Sequence, residues 1–181
     1  KPEAIAPLQK VLTTPTDVQS NEKMDEKALE EAKKREEESF KKAEDALRQA
    51  IKSSPEMASL EDNLIIDSTP EGLRIQIVDK DGYSLFTSGN SNLVGRSREL
   101  VMMVGRVVAR LPNKITISGH TDSTPYRGLS RSNNWELSSG RAYSSMMAMM
   151  MGGITEDRVM DIRGKADREP LMKDDTKNPQ N

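Results

Sequence analysis

"LPNKITISGHTD", Leu111–Asp122, decides how this chain is to be read. Pro112 cannot continue a helix, so the apolar repeat ahead of it ends there. Ile115 and Ile117 then alternate with Thr116 and Ser118, the period of a strand with one buried face. The strand runs into Gly-His-Thr-Asp, which holds the single histidine of the chain. A polar cluster at the C-terminal end of a strand lies where open α/β sheets place their ligands.

Working outward, Glu99–Leu111 is a helix, with Leu100, Met103, Val104, Val107, Val108 and Leu111 on one face. Downstream, a second helix spans Asn134–Met151 and is closed by Gly152-Gly153. "VMDIRG", Val159–Gly164, is a fourth short strand. Upstream, "LIIDS" (Leu64–Ser68) and "LRIQIVD" (Leu73–Asp79) are strands joined by the turn "TPEG". Leu73, Ile75 and Ile77 share one face, Arg74 and Gln76 the other. This order predicts an α/β (α+β) two-layer sandwich, a mixed sheet with its helices on one face. Lys165–Asn181 is polar and loop-like. It supplies no further strand, although a small sheet would benefit from one, so the domain at 64–181 is expected to be truncated at its C-terminus. The methionines of "SSMMAMMMGG" (Ser144–Gly153) are expected at the core or its boundary. Gly140 costs that helix about 1 kcal/mol against alanine, for no purpose visible in the sequence.

Ahead of this domain the composition changes. Residues 1–20 contain three prolines and no sustained period, and read as a flexible linker. Residues 21–63 read as linker helices, a long charged one and a short one restarting at Ser54-Pro55-Glu56. Glu and Lys at i,i+4 offsets support the long helix. Phe40, Ala43, Leu47, Ala50 and Ile51 give only its second half an apolar face. Its C-terminal turns should therefore dock on the domain and its N-terminal turns should stand in solvent. The charge run is the solvated face of that helix, since too few heptads are sustained for a coiled coil.

Composition removes several classes. The 181 residues carry a net charge of -2, no basic field of the kind that draws nucleic acid or anionic lipid. Only 3% are aromatic, so the core must be aliphatic and methionine-rich. With Cys 0 there are no disulfides or thiolate metal sites, although the compartment stays open. No apolar run of about 18 residues is present to span a membrane. Beginning at Lys1 without an initiator methionine, the chain is expected to be a fragment or processed piece.

Four chemistries suit the cluster. His120 and Asp122 leave a zinc site short of protein ligands, with no second histidine to supply one. A serine nucleophile on His120 would need Ser118, Ser123 or Ser130, none of which sits in an elbow pattern. Asp122 and Arg141, the latter about two turns into the next helix, could face each other across a crevice. A guanidinium grips a carboxylate in bidentate fashion and a carboxylate takes an ammonium, so such a pair suits a ligand carrying both charges. Alternatively the two pair with one another and staple loop to helix. Composition alone favours the staple.

"ISGHTD" followed by "NWELSSGRA" (Asn134–Ala142) resembles the OmpA-like peptidoglycan-binding family. "TPEGLRIQIVD" (Thr69–Asp79), Phe86–Gly89 as Phe-x-x-Gly, the "TPYRG" loop (Thr124–Gly128) and "GKADREPL" (Gly164–Leu171) are similar to its MotB-like members, stator subunits of the flagellar motor. The resemblance covers about Leu64–Asn181. It implies non-covalent binding of the diaminopimelate-containing stem peptide of peptidoglycan, with Asp122 receiving the ammonium and Arg141 the carboxylate; the alternatives are another OmpA-like cell-wall anchor, such as an outer-membrane lipoprotein or a secretion-system component, and a cell-wall hydrolase acting through His120. Thr121, His120, Leu137, Phe86 and Gly89 would line the cleft. No catalytic residue, metal or cofactor is implied. The resemblance further implies a periplasmic fragment of an inner-membrane protein, with a single transmembrane helix upstream that meets a MotA-like subunit, and a homodimer. In such subunits a change in the linker helix releases the anchor toward the wall, and a helix held by one apolar half-face would detach at modest cost.

Overall fold

The structure, a computed structural model, describes residues 15–80, 82–124, 133–178 and 180–181. Its elements are helix α1 (Pro15–Lys52), the short helix α2 (Pro55–Ala58), strands β1 (Leu64–Thr69) and β2 (Gly72–Ile77), helix α3 (Gly95–Val108), strand β3 (Ile115–Gly119), helix α4 (Asn134–Met151) and strand β4 (Val159–Gly164). The chain divides into two compact units, Lys1–Ser39 and Phe40–Asn181.

In the first unit the described backbone is helical from Pro15. This corrects the expected linker over 1–20: the last six of those residues already belong to α1, and proline suits a first helical turn, where its missing N–H has no partner to lose. Residues 25–38 are exposed throughout. Glu31 and Arg35 pair at 3.6 Å, an i,i+4 contact of the kind that sustains a solvated helix.

In the second unit the turns from Phe40 onward are buried on one face. Phe40, Ala43, Leu47 and Ile51 join the core with Leu60, Leu64, Leu100 and Val104, while Ala50 is half-buried. β1 and β2 form an antiparallel hairpin, Leu64 opposite Ile77 and Thr69 opposite Gly72. Gly72 takes φ 128°, a left-handed backbone that a side chain would strain. Buried Asn63 closes the open end of the hairpin, its Nδ2 donating to the Val78 carbonyl at 2.7 Å. β3 and β4 pair in parallel through the α4 crossover, Gly119 opposite Gly164.

The four strands thus form two two-stranded sheets, one antiparallel and one parallel, and not one continuous mixed sheet. Alternation tells a strand which face to bury but not which neighbour to pair with, so this was outside what the pattern could predict. Between β2 and β3 lies a groove of about 1910 Å³, floored by apolar side chains of α3 such as Val101, Val104 and Val108. The facing edges of β2 and β3 are free of strand partners among the described residues, and are where a further strand could pair. No described helix is long and apolar enough to cross a membrane.

α4 approaches β3 unusually closely. A Cβ added at Gly119 would lie 2.0 Å from the Ser138 carbonyl oxygen, so only glycine admits the helix there. Gly140 lies close to Ser91: a Cβ there would come within 3.1 Å of the Ser91 side chain, a tight contact that a small shift would relieve. The methionine run divides: Met149 is buried, whereas Met147 and Met151 are exposed. Replacing Gly119 with alanine must push α4 off the sheet. Urea denaturation of Gly119→Ala is expected to show a loss at or above the upper end of the ~1–3 kcal/mol range for overpacking. Wild-type stability in that variant would mean the contact is looser than described.

Candidate functional site

β3 delivers the cluster to the end of the groove. Directly after Gly119, His120 is half-buried and Thr121 is almost fully buried. Thr121 N–H donates to the Ala166 carbonyl at 2.9 Å, and Ala166 N–H donates to the buried Ser138 Oγ at 3.0 Å. The segment after β4 thereby ties Thr121 to α4. Asp122 folds back on its own loop, Oδ1 accepting from Thr124 N–H at 2.8 Å. Its carbonyl accepts from Asn134 Nδ2 at 3.3 Å. α4 begins there because Asn133 caps it, its side chain accepting from Glu136 N–H.

Arg141 lies three residues beyond Ser138, so it emerges on the same side of α4. Its Nη1 donates to the His120 carbonyl at 3.2 Å and its Nε to the Asn90 carbonyl at 3.4 Å. The guanidinium stacks 4.9 Å from the centre of the Phe86 ring. Among the described residues Arg141 makes no ion pair; Asp122 and Asp79 act on it through space. The staple anticipated from composition is therefore not formed.

Phe86, Gly89, His120, Thr121, Asp122, Leu137 and Arg141 all line the one groove. The structure brings together every residue that the sequence placed there. The "TPYRG" loop from Pro125 onward, and Ser130, lie outside the described residues. Ser123 Oγ donates to Thr176 Oγ1 at 2.9 Å, so its hydroxyl is engaged away from the imidazole. No three His, Asp or Glu side chains among the described residues are grouped to hold a metal.

Two polar groups of the cleft are buried without a partner, His120 Nδ1 and Thr121 Oγ1. Buried polar groups are usually satisfied, so these two mark a part of the cleft wall that is polar without being paired. Asp79 and Asn90 were missed in the sequence. Asp79 accepts from Leu85 N–H at 2.8 Å through Oδ1. Burial pushes its carboxyl above the ordinary value, against the pull of the Leu85 hydrogen bond and of Arg141. The available signal was an acidic residue ending the apolar run of β2 ahead of a glycine turn; Asn90 acts through its backbone and left no signal. Burial likewise lowers Arg141, offset by Asp79 and Asp122, and leaves the guanidinium charged.

Residues 85–181, more than half of the chain, match the OmpA family model. The chain belongs to the OmpA family. It is 39% identical over 140 residues to Motility protein B of Escherichia coli (strain K12), covering 76% of this chain and 46% of that protein. The chain thus spans about half the length of the curated relative it matches. Among solved structures, a MotB like protein from Desulfovibrio vulgaris superposes with TM-score 0.61 at 18% identity, covering 76% of this chain and 84% of that one. The periplasmic domain of Helicobacter pylori MotB gives TM-score 0.52 at 16% identity, covering 65% and 76%. At such identities the structures establish the shared fold.

His120 provides a direct check on the site. Burial lowers its pKa below the ordinary 6.5, with Glu169 pulling it back up and Lys165 adding to the fall. A depressed folded value means that the unfolded chain takes up the proton first. Stability is therefore complete above pH 6.5 and declines as pH falls through the folded value. As the sole histidine, it should give one NMR titration with a midpoint below 6.5. His120→Gln should flatten the decline of Tm on the acid side. A midpoint at or above the ordinary value would contradict the buried placement.

Proposed function

We propose that the groove binds the diaminopimelate-containing stem peptide of peptidoglycan without covalent chemistry, and that the chain is the periplasmic anchor of an ion-driven flagellar stator. One observation carries the proposal. Arg141 and Asp122 share a groove, yet each is held by backbone groups and not by the other. A cation and an anion kept apart in this way suit an amino-acid centre with its own ammonium and carboxylate. Asp122 receives the ammonium and Arg141 the carboxylate, while Thr121 and His120 line the wall between them. Leu137 and Phe86 cover its methylene chain, and the Gly89 backbone forms the rim.

Likeness to Motility protein B over three quarters of the chain supports the stator assignment. On that basis the chain works in the periplasm, a single membrane helix lies upstream, and a MotA-like subunit meets that helix. A homodimer is part of the same reading. Tyr143, Met147 and Met151, exposed at i,i+4 spacing along α4, are a surface that a second copy would cover. The reading needs no bond to be broken; the Ser123 hydroxyl, donating to Thr176 Oγ1, is engaged away from His120.

Sedimentation with purified sacculi tests the assignment. Wild type should pellet with the wall, whereas Asp122→Asn and Arg141→Ala should stay in the supernatant with unchanged circular dichroism. Loss of one charged partner costs about 2–5 kcal/mol, enough to abolish a weak interaction. Mutants that still pellet would show that the cleft is wrongly placed. Soluble muropeptides released from sacculi would replace the anchor by a hydrolase.

A further inference from the structure

Arg141 owes its geometry to an arm that neither β3 nor α4 provides. Residues 85–93 fold back on themselves: Phe86 bridges to Leu93, Thr87 N–H donates to the Asn92 carbonyl at 2.9 Å, and Val94 N–H donates to the Leu85 carbonyl at 3.0 Å. From this arm come both the Phe86 ring under the guanidinium and the Asn90 carbonyl at its Nε. The arm is joined to β2 by a turn in which Lys80 and Tyr83 bridge one another. At the root of that turn stands Asp79, whose Oδ1 accepts the Leu85 N–H at 2.8 Å. Leu85 is the first residue of the arm and itself buried.

We propose that Asp79 is a positioning residue for the binding cleft: by holding Leu85 it fixes the arm, and through Phe86 and Asn90 the arm fixes the Arg141 guanidinium in its ligand-ready orientation. Asp79 acts through the arm and need not touch the ligand. Without its acceptor, Leu85 N–H would be left buried and unsatisfied, and the arm would shift to find water. The Phe86 stack and the Asn90 carbonyl would move with it, leaving Arg141 only the His120 carbonyl. A guanidinium restrained at one point must be ordered by the ligand at the moment of binding, which weakens affinity.

The binding half of the test rests on the peptidoglycan reading; the spectroscopic half does not. Two variants separate the roles. Asp79→Ala removes the acceptor, whereas Asp79→Asn keeps an oxygen for Leu85 N–H. The first measurement is the Arg141 Nε–H resonance in the free protein, assigned by its loss in Arg141→Ala. In wild type it should be dispersed and slow to exchange. In Asp79→Ala it should collapse to the position of a solvated arginine while amides of β3 and α4 stay in place, and in Asp79→Asn it should return. The second is affinity for purified sacculi, expected to fall about tenfold or more in Asp79→Ala and to recover in Asp79→Asn. An unaltered Arg141 resonance in Asp79→Ala overturns the proposal. So does an Asp79→Asn protein that behaves like Asp79→Ala, since the hydrogen bond would then not be the cause. If wild type itself ignores sacculi, the ligand assignment fails alone and the resonance still decides the role of Asp79.

Discussion

The cleft depends on the contact of α4 with the end of β3 at Gly119, where the Ser138 carbonyl occupies the space that a side chain would need. That proximity sets the register of everything around it. Arg141, three residues after Ser138, reaches the carbonyl of the residue following Gly119. The Ser138 hydroxyl takes the Ala166 N–H, and the Ala166 carbonyl takes the Thr121 N–H. Ala166 accepts a left-handed backbone, φ 49°, to make both bonds. A non-glycine residue there costs roughly 1–2 kcal/mol, which the two hydrogen bonds offset. Strand end, helix and returning loop are thereby locked together around one close approach.

The electrostatic design follows from that frame. Opposite charges in a half-buried groove would ordinarily collapse onto one another, because their attraction strengthens as water is excluded. Here neutral dipoles intervene. Arg141 is bound to two backbone carbonyls and an aromatic face, and Asp122 to a backbone N–H. Each charge is oriented without being neutralised, so the groove presents a cation and an anion that are not tied up in an ion pair. Asp79 contributes a second negative potential toward Arg141 at the expense of its own burial. Its use in fastening the arm accounts for a carboxyl in so unfavourable a position.

Much of this was legible in the residues. Periodicity located α4 at Asn134–Met151 and β4 at Val159–Gly164 with their observed ends, because both are bounded by capping or turn residues. The cluster after β3 was visible because polar residues abruptly replace the alternation. What escaped was non-local. Pairing of β1 with β2 and of β3 with β4 into separate sheets is a matter of edges, and edges are backbone, the same for every residue. Asn90 serves through its carbonyl for the same reason. Gly140 packs close to Ser91, some fifty positions away, and no local pattern reports such a neighbour. The early start of α1 at Pro15 escaped because a helix can form without an apolar stripe, on tolerable propensities alone.

The docked turns of α1 deserve a different weight from the one their sequence suggests. From sequence, an apolar half-face is a light attachment that detaches at modest cost. Leu47 and Ile51 are however 1% and 0% exposed, deeper than Phe40 and Ala43 at 7% and 8%. Each fully buried aliphatic side chain contributes about 1.5–3 kcal/mol. Removing the whole face would thus strip two central side chains from the core that also holds Leu100 and Val104 of α3. Fraying from Phe40 to Ala43 exposes only the shallower pair. None of the hydrogen bonds that hold Arg141, Thr121 or Asp122 comes from this helix. Loosening of the turns at Phe40 and Ala43 would therefore leave the geometry of the cleft untouched, whereas loss of Leu47 and Ile51 would open the core.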